Sequence, residues 1–146
     1  MEDQQILSLF VDIPVTVALI LEILDNDSNP SNLEARMCQI ISFNFFVDFL
    51  NNVSDGKVLA PPTSCKISLE EVYYFITGLK NVPVRWNSFK YKIKYQLNDT
   101  INRFRPLSNT CPGVAQLTLP IAEKYKDMED GWIDGVLSLQ HGFGRL

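Results

Sequence analysis

One histidine and three cysteines are all that the chain offers for thiol, imidazole or zinc chemistry. An odd cysteine count, with gaps of 27 and 46 residues between Cys38, Cys65 and Cys111, does not make a dense disulfide framework. Reduced thiols in the cytosol or nucleus fit better. Neither C-x2-C nor H-x3-H occurs, so a zinc knuckle built from these cysteines and His141 lacks its paired ligands, and no metal is expected. The seven glycines form neither G-x-G-x-x-G nor G-K-[ST], which excludes the common phosphate-cradling loops. Net charge is −4 and the lysines are scattered, as in "KYKIKY", so no basic face is apparent and nucleic acid is not expected as a partner.

A long uninterrupted apolar run is also missing. Residues 6–24, "ILSLFVDIPVTVALILEIL", come nearest, but they contain Asp12, Pro14 and Glu22 and follow "MEDQQ", which lacks a basic n-region. Central carboxylates are costly in lipid and a signal peptide begins with positive charge, so this stretch reads as core and no membrane is expected. Three N-x-S/T triplets, at Asn26, Asn52 and Asn98, matter only for a secreted chain. There is no repeat and no low-complexity tract. A chain of 146 residues, 46% apolar and 21% charged, suits one globular domain.

The patterning that is present alternates helix and strand. "VTVALILEIL" (15–24) reads as a short helix despite its β-branched start, and "DNDSNPSN" (25–32) as a loop. Residues 33–52 are helical by spacing, with Cys38, Ile41, Phe45 and Phe49 on one stripe and Phe43, Phe46 and Leu50 on a second beside it. "SDGKVLAPPTSCK" reads as a loop up to Ser68, where Ser68 and Glu71 make a capping box for a helix that stops at Gly78. "NVPVRW" (81–86) is irregular. "FKYKIKYQL" (89–97) alternates as a half-buried strand, and "GVAQLTLP" reads as another. A last helix is expected from Ile121 to about Leu139, with Tyr125, Met128, Trp132, Val136 and Leu139 on its apolar face. Together these predict an α+β domain, a small mixed sheet packed with helices.

Cys111, in "RPLSNTCPG", is the candidate functional residue. A free cysteine is among the residue types most often buried, so composition favours a core thiol. The polar loop "RPLSNT" has no reason to be buried, however, and Pro112 pushes the preceding residue into extended backbone, which places the thiol near a surface or cleft. Spacing leaves open a core thiol, a ligand and a nucleophile. A cysteine hydrolase would need His141 as its base, and that residue is sixth from the chain end, where tails are commonly mobile.

Several motifs in order bear on the choice. "RPLSNTC" ending at Cys111, "LTLP" (117–120) and "GFG" (142–144) resemble the carboxy-terminal lobe of a HECT-type ubiquitin ligase. Upstream, "ISLEEVYYFITGLKNVP" (67–83) is similar to the family's helix ending in aromatic-x-Thr-Gly before a proline, and "ISFNFFVDFL" (41–50) to the aromatic helix before it. With Asn109 where a histidine is an alternative, the chain looks like a divergent branch of that family. The resemblance covers residues 33–146 as a HECT carboxy-terminal-lobe-like domain. Residues 1–32 then read as a short amino-terminal segment, the remnant of an interlobe hinge.

That resemblance implies a fold and a reaction. Cys111 would accept ubiquitin as a thioester from a ubiquitin-conjugating enzyme and pass it to a lysine of a protein substrate, in cytoplasm or nucleus and without a cofactor. Thioester exchange is nearly energy-neutral, so the site mainly aligns two sulfurs and a carbonyl, and sulfur is nucleophilic enough for modest activation to suffice. Asn109 and Thr110 would support the cysteine loop. Thr110 would either donate a hydroxyl near the sulfur or oxyanion or cap the loop backbone. Phe143, fourth from the end, would help position ubiquitin or the incoming lysine. The alternative is a degenerate lobe that binds ubiquitin or a ligase without transferring it.

The chain also departs from the family pattern. Leu117 lies two residues farther from the cysteine than usual, an even number that would keep a strand in phase. Pro112 removes one backbone N–H from the surroundings of the oxyanion. Trp86 and Asn87 stand where the family has a glycine–aromatic pair. The larger amino-terminal lobe that binds the conjugating enzyme does not fit in 146 residues.

Overall fold

The structure, a computed structural model, describes residues 12–61, 65–97, 104–111 and 113–142, apart from the side chains of 140–142. It is an α+β fold of four helices, a mixed four-stranded sheet and a small hairpin among the described residues.

The β-branched triplet at 15–17 delays the first helix rather than preventing it. Thr16 becomes the N-cap, its hydroxyl accepting from the Leu19 N–H at 3.1 Å, and α1 (Val17–Glu22) lasts six residues. β1 (Leu24–Asp25) follows at once and pairs in parallel with β4 (Tyr91–Gln96). Leu19, Ile20 and Ile23 join the core, so the segment ahead of residue 33 supplies buried side chains and a strand. No helix of the described residues is long and apolar enough to cross a membrane.

After Pro30, α2 (Leu33–Ser54) starts at Asn32, whose side chain accepts from the Ala35 N–H at 3.1 Å. The helix is as expected, and its inward face draws on both stripes that spacing picked out, with Phe46 and Leu50 from the second and only Phe49 from the first. Ser42, Phe46, Phe49, Leu50 and Val53 are buried, while Cys38 and Phe45 are half-buried and Ile41 is 41% exposed. Apolar residues occur around most of this helix, so periodicity identifies the helix without selecting its covered side.

The stretch read as a loop after α2 contains a two-stranded hairpin, β2 (Leu59–Ala60) against β3 (Cys65–Lys66). Strands of two residues are too short to leave a period. α3 (Leu69–Thr77) begins with the expected capping box, the Glu71 N–H donating to Ser68 Oγ at 3.2 Å and the Ser68 N–H to Glu71 Oε1 at 3.1 Å. It ends at Gly78, whose φ of 75° is the left-handed cap and whose N–H reaches the Tyr74 carbonyl at 2.8 Å.

The sheet order is β1-β4-β6-β5, with β6 (Gln116–Pro120) parallel to β4 and β5 (Leu107–Asn109) antiparallel on the outer edge. Ile93, Leu117 and Leu119 point into the core, and Lys92 and Lys94 into solvent, as alternation requires. β5 corrects the reading of "RPLSNT" as a plain polar loop: Pro106 is buried, and residues 107–109 add to the sheet.

α4 (Tyr125–Gly142) begins four residues later than expected. The Ile121 N–H carries the sheet pairing one residue past β6, to the Gln96 carbonyl at 2.8 Å, and the Ala122 N–H donates to the buried Ser42 hydroxyl at 3.0 Å, so tertiary bonds hold these residues outside the helix. Met128, Trp132 and Val136 are buried, as expected. Trp132 stacks on Phe46 and Phe49 at centroid distances of 5.1 and 5.6 Å, with Phe75 edge-on at 5.1 Å, which joins α2, α3 and α4 in one aromatic core.

Candidate functional site

Cys111 lies two residues past the end of the edge strand. β5 is held in register by Leu107 opposite Thr118, Ser108 opposite Leu117 and Asn109 opposite Gln116. Ser108, on the inward side, donates its hydroxyl to the Ile76 carbonyl in the last turn of α3, one of the carbonyls that a helix end leaves without an intrahelical donor. Asn109 is half-buried, and its side-chain oxygen accepts the Cys111 N–H at 3.0 Å. This is an Asx-type turn, in which a short side chain takes the place of a backbone carbonyl.

Beyond the cysteine the chain reverses. The Val114 N–H donates to the Cys111 carbonyl at 3.0 Å, and Gly113 has φ of 81°, the left-handed geometry that the third position of a type II turn needs. The strand begins only at Gln116. Residues 111–114 therefore form a turn before the strand, so the strand phase at Leu117 is set after the turn and not by counting from the cysteine. Pro112 lies outside the described residues.

The loop carries Cys111 exposed, with Leu107 44% and Val114 53% exposed on either side of it in sequence. Beside it, the end of α3, β5 and the far half of α4 enclose a cleft of about 260 Å³. Phe75, Pro106 and Leu139 give it apolar walls, and Arg105, Thr110 and Ser138 supply its polar groups. Thr110 thus faces the cleft, and a Cβ at Gly78 would meet its methyl at 4.0 Å. Among the described residues the Thr110 hydroxyl has no hydrogen-bond partner; the capping of this loop is done by Asn109.

The other sequence candidates lie apart. Cys38 is half-buried on α2 and Cys65 exposed on the hairpin; all three thiols are free, and among the described residues no His, Cys, Asp or Glu cluster could hold a metal. The backbone of His141 belongs to the last turn of α4 rather than to a loose tail, and its side chain is outside the description, as is Phe143. Two of the sequons have structural work in this fold. Asn26 Oδ1 accepts the Tyr95 hydroxyl at 2.8 Å, and Asn52 Nδ2 donates to the Tyr125 hydroxyl at 2.7 Å. Burial pushes both phenols up to about 12, opposed at Tyr125 by the bond that Asn52 donates. Asn98 is not among the described residues.

Reading the sequence missed three residues that line this cleft, Arg105, Ser108 and Gly135. Ser108 and Arg105 sat in what looked like loop. Gly135 did leave a signal, because it and Gly131 lie four apart inside a helical pattern, where each is unfavourable. No family model and no curated protein matches the chain.

Proposed function

We propose that this chain is the thiol-bearing lobe of a HECT-type ubiquitin transferase, with Cys111 as the acceptor. The observation that carries the reading is the exposed Cys111 at the end of an edge strand, its N–H fixed by Asn109 and its loop bordered by exposed apolar side chains and a cleft. A core thiol needs none of these features. The ordered motifs "SNTC", "LTLP" and "FITG" then assign the chemistry by resemblance, and they fall on β5, β6 and the end of α3, which meet at this loop.

In the first step the Cys111 thiolate attacks the thioester carbonyl that joins ubiquitin to the conjugating enzyme. The tetrahedral intermediate collapses by expelling the conjugating enzyme's thiolate, which takes up a proton. In the second, a neutral lysine amine attacks the new thioester, loses a proton and expels the Cys111 thiolate, leaving an isopeptide bond. Neither step needs a redox partner or a cofactor. The protein's part is alignment, for which a pre-formed turn is suited because less orientational freedom is left to lose on reaction. Leu107 and Val114 offer apolar contact to the incoming protein. Phe143, by resemblance, would act on the second step.

The test is a gel-shift assay with ubiquitin-charged conjugating enzyme. A reducible adduct that disappears in Cys111→Ser supports transfer, and Phe143→Ala should then slow discharge to lysine while leaving adduct formation intact. No adduct, together with saturable ubiquitin shifts in an NMR titration, would instead establish the non-transferring binding lobe. Neither adduct nor binding would end both readings.

A further inference from the structure

Glycine inside a helix is unfavourable by roughly 1 kcal/mol relative to alanine. α4 nevertheless has two in its interior, Gly131 and Gly135, one turn apart and both buried. A methyl group at Gly131 would lie 1.9 Å from the carbonyl oxygen of Phe104 and 2.6 Å from its carbonyl carbon. One at Gly135 would meet the Phe75 ring at 3.2 Å and Pro106 Cδ at 3.4 Å. The glycines therefore leave room on α4 for the Phe104 carbonyl, at Gly131, and for the Pro106 ring, at Gly135. Phe104 itself sits at φ of 66°, the single positive φ of a non-glycine residue among those described. An aromatic side chain held there carries strain on the order of 1 kcal/mol or more. Two locally unfavourable features meet at one contact.

That contact lies at the entrance to the cysteine loop. Residues 104–106 run directly into β5, an edge strand of only three residues. Such a short ladder has little register preference of its own, so where the strand begins depends on how the preceding backbone is seated. Its register sets Asn109 opposite Gln116, and Asn109 sets the Cys111 N–H.

We propose that Gly131 is a positioning residue for Cys111: by admitting the Phe104 carbonyl to the surface of α4 it fixes the entry and register of β5, and with them the placement of the thiol. This goes beyond the reading of Cys111 as a ubiquitin acceptor. It rests on that reading for its catalytic consequence, but its structural readout does not need ubiquitin.

The experiment compares the full chain with Gly131→Ala, Gly135→Ala and Asp134→Ala, the last at an exposed position of the same helix. Amide exchange at Cys111 is measured against the Val72 amide in α3. Single-turnover transfer from ubiquitin-charged conjugating enzyme is measured across its concentration, and iodoacetamide labelling of Cys111 is referred to Cys65. Gly131→Ala should speed Cys111 amide exchange about tenfold and lower the maximal transfer rate about tenfold, with the half-saturating concentration unchanged. Alkylation, which needs no alignment, should stay within about twofold. Gly135→Ala, whose overlap is with a ring edge that can give, should act in the same direction by about threefold, and Asp134→Ala should do nothing. Retention of both exchange protection and transfer in Gly131→Ala would overturn the proposal. Should Gly131→Ala also lose protection at Val72, it has unfolded and Gly135→Ala decides by the same criteria. If the unaltered chain takes no ubiquitin, the acceptor reading fails separately, and the exchange series alone decides the positioning role.

Discussion

The side-chain oxygen of Asn109 holds the backbone N–H of Cys111 at 3.0 Å, so the residue that presents the thiol is oriented by its neighbour two positions back. The loop supplies its own template. An exposed segment gains orientation in this way without being buried, which leaves the sulfur open to a partner.

Asn109→Ala should remove that acceptor at a stability loss of about 0.5–1 kcal/mol, small because water can replace the bond. Transfer should fall by more than stability does. Asn109→Asp keeps the acceptor but sets a negative charge near the sulfur, which disfavours thiolate and should slow alkylation at pH 8. Denaturant melts and timed iodoacetamide labelling of the two variants check both statements.

Labelling of the unaltered chain should separate the thiols. Cys111 and Cys65 are exposed and should react quickly under native conditions, and half-buried Cys38 slowly, with peptide mass spectrometry reading each site. Protection of Cys111 equal to that of Cys38 would count against a presented thiol.

The aromatic core should respond to Trp132 strongly. Trp132→Ala leaves a void between Phe46, Phe49 and Phe75 and should cost about 3–5 kcal/mol. Trp132→Phe should cost clearly less, because the indole Nε1 is buried without a hydrogen-bond partner among the described residues and its loss removes an unmet donor. Urea midpoints of the pair supply the comparison.

Ser68→Ala should cost about 1 kcal/mol, since it breaks one arm of the capping box and leaves the Glu71 N–H without its acceptor. A matching Ser54→Ala at the exposed end of α2 should be near neutral in the same thermal melt.

Alkaline titration has a defined sign. Tyr95 and Tyr125 are pushed up to about 12 from 10.0 chiefly by burial, so between those values the folded chain holds protons that the unfolded chain has released. Their contribution is fully present below pH 10 and is lost as pH rises toward 12. Tm should begin to fall above pH 10, and phenolate absorbance should include a late component that vanishes in the double Phe variant. Titration of all tyrosines near 10 would contradict this.

Reading from residues alone, the elements that were legible are those with local causes. The capping box at Ser68, the left-handed stop at Gly78 and the alternation in "KYKIKY" each arise within a few residues, so the sequence carries them whole. Cys111 stood out for the same reason, a thiol between a polar segment and Pro-Gly. What the sequence could not carry was any choice made between distant segments. The inward side of α2 was settled by Trp132, some eighty residues away, because aromatic residues surround that helix and only a partner selects among them. β5 exists because three residues found an edge on β6 and an open carbonyl at Ile76, neither of which leaves a period. The start of α4 was moved because residues 121 and 122 are tied to β4 and α2, at Gln96 and Ser42, a docking that no local pattern shows. Local hydrogen bonding and side-chain period determined what each piece of this chain would be. Steric fit and the satisfaction of backbone groups across the fold decided where the thiol would stand.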